Sequence, residues 1–582
     1  MNYFKPYIII FIFIEILIIP IILRIYGMGF LIVPNEETRL YLITQVICHD
    51  SIIYTILISL IYFSYLTFVP KILSFILRIF ALFFFILYIT DIFILKNFVT
   101  HININDVNKY LSYVPKYIEQ EYNMHILHIF LLSALLIIFI YFVKESIKIS
   151  KVGHYVIISI ICILLFVNSF TKDTYVHSWV YKNFIEYNID LLKKSKDYSE
   201  EMKKNISNED HNVCETKISE KRNIVILMIE SFASYQSNYF SGIKNWTPSL
   251  DKIAKSNISI KDFNSNGFVT EDGEISILTG LYPIYSPKLK EILGSTAFQG
   301  FYSVKNSLPN ILNKRNYSTE FITSSDLTFS NTGAWAKSLG FDYIEGSEHP
   351  FYENKKRYHF QAPADEYLFK RVLDRIEIKK EDNPYFIFVK TVSSHIPFLN
   401  PETENYSEEE TIRYVDKQIG LFYKKLQEKN FFKNGIVIIT GDHHPIIPLK
   451  KEQIEKYGVD LAGTRVPLVA SFGESIQKKI KGNFQQVDIY NSVKNYVSNS
   501  KCTSQWSGDF LTEKPINPSF NIYRRGDRRG DITVFNKDST YNVRLNGDDT
   551  KVTNHNKSNI TEDIVNKINY ERIQRQKNES RD

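Results

Sequence analysis

At 582 residues with a formal net charge of +6, the chain is too long for one ordinary domain and carries little excess charge. No basic tract is interleaved with aromatic residues, which argues against nucleic acid as a partner. Cys48, Cys162, Cys214 and Cys502 are its four cysteines, with no CxxC spacing, so a dense disulfide framework and a thiolate zinc site are excluded. Whether Cys214 and Cys502 pair is left open.

Ile, Leu, Phe and Tyr dominate residues 1–170, and a bilayer crossing takes roughly 20 apolar residues. Five stretches meet that length: Tyr7–Leu23, Ser51–Val69, Ile72–Leu95, His125–Phe142 and Val152–Phe170. The first lacks a small-residue cleavage site and reads as retained. Lys71 and Arg78 mark one short connection, and Lys144, Lys148 and Lys151 another. The positive-inside rule then places the N-terminus in the cytoplasm and everything after 170 outside. In the longer outer loop Val107, Leu111, Val114 and Ile118 recur at helical spacing, the pattern of an interfacial amphipathic helix or of a packed linker.

Residues 171–222 read as a charged linker. Asn223–Ile229 is then a continuous apolar run without alternation, as expected of a strand buried on both faces, and it ends in Glu230. Thr247–Pro248 opens a helix over Ser249–Lys255, with ISIKDF a strand after it. Leu308–Lys314 is helix-like, and STEFITSSD is a strand ending at Asp326. Ala364–Ile378 is an amphipathic helix, and Tyr385–Val392 a strand ending near His395. Ser407 and Glu410 form a capping box before another helix. Ile436–Thr440 ends in Asp442, His443 and His444, and Arg465–Phe472 is one more strand. Such alternation predicts an α/β domain over 223–500 with a largely parallel sheet. A small β appendage follows over 501–553, then a polar tail over 554–582, disordered or a frayed helix. The basic run Arg524–Arg529 reads as a solvated turn, with a phosphate grip as the alternative.

In such folds ligands bind beyond the carboxyl ends of the strands, which here deliver Glu230, Asp326, His395, Asp442, His443 and His444. Between them lies GFVTEDGEISILTG, Gly267–Gly280, where Thr270 enters an apolar helical segment through an acidic turn. Taken alone, Thr270 reads as an N-cap. Beside oxygen and nitrogen donors suited to Mn²⁺, Mg²⁺ or Zn²⁺ it reads as a hydroxyl nucleophile. Glu230, Thr270, Asp442 and His443 form the expected metal set, while His395, Asp326 and His444 are the expected substrate contacts.

The segments NIVILMIESF, GFVTEDGEISILTGLYP, SLGFDYIEG, SSHIPF, TGDHHP and RVPL, in that order, resemble the alkaline phosphatase/sulfatase superfamily. Within it, the chain resembles the membrane-anchored lipoteichoic acid synthase and phosphoglycerol transferase family. That resemblance implies five transmembrane helices and an extracytoplasmic sulfatase-like domain on the cytoplasmic (inner) membrane of a bacterium. It implies a divalent cation, Mn²⁺ foremost, and a phosphorylated Thr270. The donor would be an outer-leaflet phospholipid such as phosphatidylglycerol, and the acceptor a surface glycan or polyglycerolphosphate. Two departures stand out. Those synthases place Trp and Arg soon after a Thr-Phe pair, but Thr328–Phe329 is followed here by Ser330, Asn331 and Thr332, with Trp335 further on. A histidine carried shortly before that pair is replaced by Thr323. A phosphoethanolamine transferase is the nearest alternative, ranked second because such domains are rich in disulfides. A sulfatase would need C/S-x-P-x-R, which Thr270-Glu-Asp-Gly-Glu does not supply. A catalytically dead membrane sensor predicts lost ligands, yet all four are present.

Overall fold

The structure is a computed structural model that describes residues 20–25, 36–98, 101–102, 151–171, 181–192, 196–207, 213–219, 221–287, 297–379, 383–447, 449–473, 478–526, 531–554 and 559–579. The chain divides into two compact units, Met1–Lys193 and Lys194–Asp582.

Among the described residues the first unit contains three helices long and apolar enough to cross a membrane, with spanning segments Ile43–Ser64, Lys71–Ile92 and Lys151–Asn168. The expected span Ser51–Val69 is therefore displaced. Its helix runs over Glu36–Ser64, starting well before Ser51 and closing in turns before Pro70. A hydropathy reading finds only the apolar part of a helix, and the residue before a proline is biased away from helical geometry. Tyr7–Leu23, apart from its last few residues, lies outside the described residues, as do His125–Phe142 and the Val107–Ile118 pattern. Phe75, Phe83, Tyr155 and Phe166 stay exposed on the second and third helices, as expected of lipid-facing surface. Charged side chains inside this unit are paired: Arg24 Nε lies 3.0 Å from Asp50, and His101 2.8 Å from Asp91.

The second unit is built on an eight-stranded sheet. Its spatial order is Lys478–Ile480, Ile258–Ile260, Leu468–Ser471, Gly435–Gly441, Asn223–Ile229, Tyr385–Lys390, Ser318–Thr323, Tyr343–Glu345. The central four strands, from Gly435–Gly441 to Ser318–Thr323, are parallel, with Ile226 opposite Ile438 on one side and Phe388 on the other. Apolar side chains cover both faces of the sheet in two separate clusters, one centred on Ile226 and Phe388, the other on Leu227 and Val389. That two-sided burial is why NIVILMI carries no alternation. The sheet is mixed rather than largely parallel throughout, because Leu468–Ser471 runs antiparallel to both neighbours. A strand buried on both faces reads the same in either direction, so composition could not reveal this.

Four antiparallel strands, Asn521–Arg524, Asp531–Phe535, Thr540–Arg544 and Lys551–Val552, form a second sheet. The polar tail becomes the helix Asn559–Glu579, with Ile564, Ile568 and Ile573 fully buried. Much of its docking is polar: Tyr198 donates to Asn569, Arg572 to the Tyr285 carbonyl and Gln576 to Asp197. Apolar periodicity is blind to such contacts. Within the linker, Val213–Thr216 pairs antiparallel with Ser500–Thr503, and Cys214 faces Cys502 in a disulfide.

Candidate active site

Because the central strands are parallel, their carboxyl ends converge on one edge of the sheet. Glu230 follows Ile229 there, Asp442 and His443 follow Gly441, and His395 closes the turn after Lys390. Close approach is required at two glycines. A Cβ at Gly441 would stand 1.9 Å from the Phe232 carbonyl, and one at Gly273 would stand 2.9 Å from the Asp442 carbonyl. The first lets the ESF turn fold against the neighbouring strand. The second lets the helix Thr270–Thr279 press its first turn onto Asp442. Ser231 takes a left-handed φ of 51°, a strained conformation of the sort stored at functional sites.

Thr270 is the first residue of its helix, not the cap. Val269 occupies the cap position, and no side chain caps there. The Thr270 hydroxyl instead donates to Glu230 Oε2 at 3.1 Å and lies 3.3 Å from His443 Nε2. Asp442 Oδ1 accepts the backbone N–H groups of Ser231 at 2.7 Å and His443 at 2.6 Å. Asp442 Oδ2 is shielded from solvent with no hydrogen bond among the described residues. His443 Nδ1 sits 2.7 Å from the His444 carbonyl, which can only accept, so Nδ1 carries the proton. In the neutral ring Nε2 is then a lone pair, and it faces Asp442 Oδ2 at 3.3 Å and Glu230 Oε1 at 3.7 Å. Acceptors facing acceptors in a buried place call for a cation. Glu230, Asp442 and His443 can present ligand atoms within 4.8 Å of one another, and all three are buried. Burial and the Glu230 carboxylate push the Asp442 pKa well up, as expected when two carboxylates share a site without counter-charge. The arrangement fits a divalent metal ion, with Thr270, half-buried at the rim, as the group open to substrate.

The other expected contacts differ in kind. His395 Nδ1 donates to the Ile396 carbonyl at 2.6 Å, which leaves Nε2 free of that bond, and burial lowers its pKa. Its turn is fixed by buried Asp365, which accepts Val392 N–H at 3.0 Å and Ser393 N–H at 3.2 Å. Asp326 Oδ1 accepts the Thr328 N–H at 2.8 Å and hydroxyl at 2.7 Å, closing its own turn. His444 is held at both nitrogens, 2.7 Å from the Pro445 carbonyl and 3.3 Å from Gln453 Oε1, with its ring against Tyr235. Trp335 is a core residue, stacked on Phe298 and donating to the Phe301 carbonyl. Arg524 and Arg525 are not a solvated turn. Both are buried, with Arg524 paired to Asp272 and Arg525 to Asp460.

Sequence reasoning missed Gln486, whose side-chain amide donates to the Gly441 and Asp442 carbonyls at 3.0 and 2.7 Å. It also missed His359, whose ring centre lies 6.0 Å from that of His395. No spacing signalled either, because both arrive from segments without a pattern of their own.

Residues 222–498, just under half of the chain, match the family described as Sulfatase. More particularly, the chain is similar to lipoteichoic acid synthase 2 of Bacillus subtilis, 26% identical over 252 residues, covering 39% of this chain and 36% of that protein. It is 23% identical over 317 residues to the lipoteichoic acid synthase of Staphylococcus saprophyticus, covering 49% of this chain and 47% of that one. The chain thus spans between a third and a half of the length of these curated relatives. Among solved structures, a protein of the alkaline phosphatase superfamily from Vibrio parahaemolyticus shares the fold, with a TM-score of 0.50 at 18% identity, covering 68% of this chain and 95% of that one.

Proposed function

We propose that this chain is a membrane-anchored, metal-dependent phosphotransferase of the cytoplasmic (inner) membrane, with its sulfatase-family domain outside. It moves a phosphoglycerol group from an outer-leaflet phospholipid, phosphatidylglycerol, to a cell-surface glycan or polyglycerolphosphate. The observation that carries this reading is the Thr270 hydroxyl, 3.1 Å from Glu230 and 3.3 Å from His443, at the rim of a donor set that lacks a cation of its own. Similarity to two lipoteichoic acid synthases supports the choice of substrates, and the apolar helices support the membrane setting.

Glu230, Asp442 and His443 would hold the ion together with Thr270, with Mn²⁺ the first choice and Mg²⁺ or Zn²⁺ also matching the donors. Such an ion lowers the pKa of a hydroxyl and draws charge from a phosphoryl group. Thr270 Oγ attacks the phosphorus of the donor, its proton passing to Glu230. The bond from phosphorus to the diacylglycerol oxygen breaks, and the proton taken up by Glu230 passes to that leaving oxygen. His395 contacts that side of the substrate, where its Nε2 lone pair can take the proton of the incoming acceptor hydroxyl. In the second half an acceptor hydroxyl attacks the phosphothreonine, and the bond to Thr270 Oγ breaks. Thr270 stands at the N-terminus of the helix Thr270–Thr279, the end whose dipole favours an anionic substrate. Asp326 and His444 act beside this centre by shaping the turns that border it.

The test is intact-mass analysis of the full chain in detergent, incubated with Mn²⁺ and phosphatidylglycerol. A phosphoglycerol adduct that maps to Thr270 is expected. An adduct with phosphatidylethanolamine instead would reassign the donor. No adduct with either lipid, even under trapping conditions, would sink the reading.

A further inference from the structure

His359 belongs to none of the motifs above, yet it stands beside the catalytic edge. It begins the short turn His359–Gln361, inserted between the strand Tyr343–Glu345 and the helix Asp365–Glu377. Only part of the residue reaches solvent. Nε2 is shielded and has no hydrogen-bond partner among the described residues. An unpaired buried ring nitrogen is costly, and a hydrogen-bonding partner from outside the chain would relieve that cost.

The turn is held with unusual care for a surface insertion. Phe360 and Gln361 both have positive φ, 55° and 59°. Arg357 donates to the carbonyls of Ser347, Tyr352 and Gln361, and the Phe360 carbonyl accepts the Asp326 N–H at 2.9 Å. The Phe360 ring meets His395 edge-on at 4.7 Å and Phe329 at 4.4 Å, so the two histidines are fixed in one wall. His395 has Nδ1 committed to Ile396, and Thr323, on the neighbouring strand end, has its hydroxyl committed to Ser325. His359 is therefore the uncommitted donor in this wall. Burial and the nearby His395 push its pKa down to about 3, so the ring is neutral and offers one N–H without adding charge.

We propose that His359 is a substrate-contacting residue whose Nε2–H donates to a phosphoryl oxygen of the group being transferred. This assignment rests on the phosphotransfer reading above. It also gives a function to Asp326, which holds the turn that carries His359 through the Phe360 carbonyl.

Gln places its amide nitrogen near the position of imidazole Nε2, whereas the shorter Asn stops near Nδ1. The experiment uses the full chain in detergent with Mn²⁺, and inorganic phosphate as the probe, with affinity read by calorimetry and folding by the thermal midpoint. H359L and H359N should each weaken phosphate binding by roughly ten- to a hundredfold, the range of a hydrogen bond to a charged group. H359Q should stay within about threefold of the unsubstituted chain, and its kcat should fall less than that of H359N. A merely structural role predicts that affinity follows the thermal midpoint instead of the reach of the amide. Equal phosphate affinity for H359N and H359Q, in a chain that still forms the Thr270 adduct, would overturn the contact alone. A chain that neither binds phosphate nor forms an adduct would overturn both this contact and the phosphotransfer reading.

Discussion

Two buried carboxylates stand within a few residues of the same helix and are treated in opposite ways. Asp272, at the third position of the helix Thr270–Thr279, receives the Arg524 guanidinium in a double hydrogen bond of 2.7–3.1 Å and also accepts the Phe268 N–H. Asp442, against which that helix packs, receives two N–H groups on Oδ1 and leaves Oδ2 without a hydrogen bond among the described residues. Each is completely buried. Burying a carboxylate is costly unless it is paired, and among the described residues Arg524 pairs with one while no lysine or arginine pairs with the other. The contrast fits the proposed reading, in which Asp272 serves structure and Asp442 serves chemistry. The protein clamps the helix of Thr270, the proposed nucleophile, from the far side with an internal salt bridge, and the near side is where the proposed ion would bind.

The largest effect should come from the near side. Thr270→Ala should abolish the adduct and cut phosphoglycerol transfer on the order of 10³-fold or more, measured as lipid turnover, with little change in thermal midpoint. Next comes removal of the cation. An ion present at 100 times its Kd stabilises the folded state by about 2.7 kcal/mol, so chelation should lower the midpoint by several degrees. Asp442→Asn should make the midpoint insensitive to chelator and to added Mn²⁺. A chain whose stability ignores both would show that Asp442 is no more than an unusual structural acid.

Much of this near side was legible in the sequence, because parallel strands write their carboxyl ends plainly. ESF, SSH and GDHH each follow an apolar run, and the fold brings Glu230, His395, Asp442 and His443 to one edge as such runs require. Thr270 was legible only in their company, since a threonine before a helix is ambiguous on its own. What escaped was whatever arrives sideways. Arg524 sits in a basic run that looks solvated until a strand of the second sheet delivers it to Asp272. His359 comes from a loop, and Gln486 from the start of a helix. The antiparallel strand Leu468–Ser471 and the docked helix Asn559–Glu579 escaped for the related reason that direction and polar packing leave no periodic mark.

The far side should answer in stability instead of turnover. Arg524→Met leaves Asp272 buried and unpaired, with an expected loss of about 3–5 kcal/mol, seen as a lower urea midpoint. Adding Asp272→Asn should recover a good part of it, because the Asn carbonyl can still accept the Phe268 N–H. If the single variant were neutral, the clamp would not be a clamp. Smaller again is the disulfide, which ties the linker strand to residue 502 across a separation of 288 residues. Replacing Cys214 and Cys502 by serine should cost about 2–4 kcal/mol, and reductant should cost the unsubstituted chain the same. Bridges of this kind persist in oxidising compartments, where the proposed function places this domain.

Glu274 lies between the two cases and gives the subtlest test. It is fully buried on the same helix, with Lys390 at 3.1 Å as its one cationic partner among the described residues. Burial, outweighing Lys390, pushes its pKa up from 4.5 to about 7. Because the folded value lies above the unfolded one, its favourable contribution is complete below about pH 4.5 and is lost as pH rises to about 7. Stability of the unsubstituted chain should therefore fall between pH 5 and pH 8 by about 1–3 kcal/mol more than that of Glu274→Gln, which does not titrate. The variant also leaves Lys390 without a charged partner, but that offset is the same at both pH values and drops out of the slope. Parallel slopes would mean that Lys390 offsets the burial of Glu274. The distinction between internally paired and externally completed acids would then set Glu274 on the side of structure.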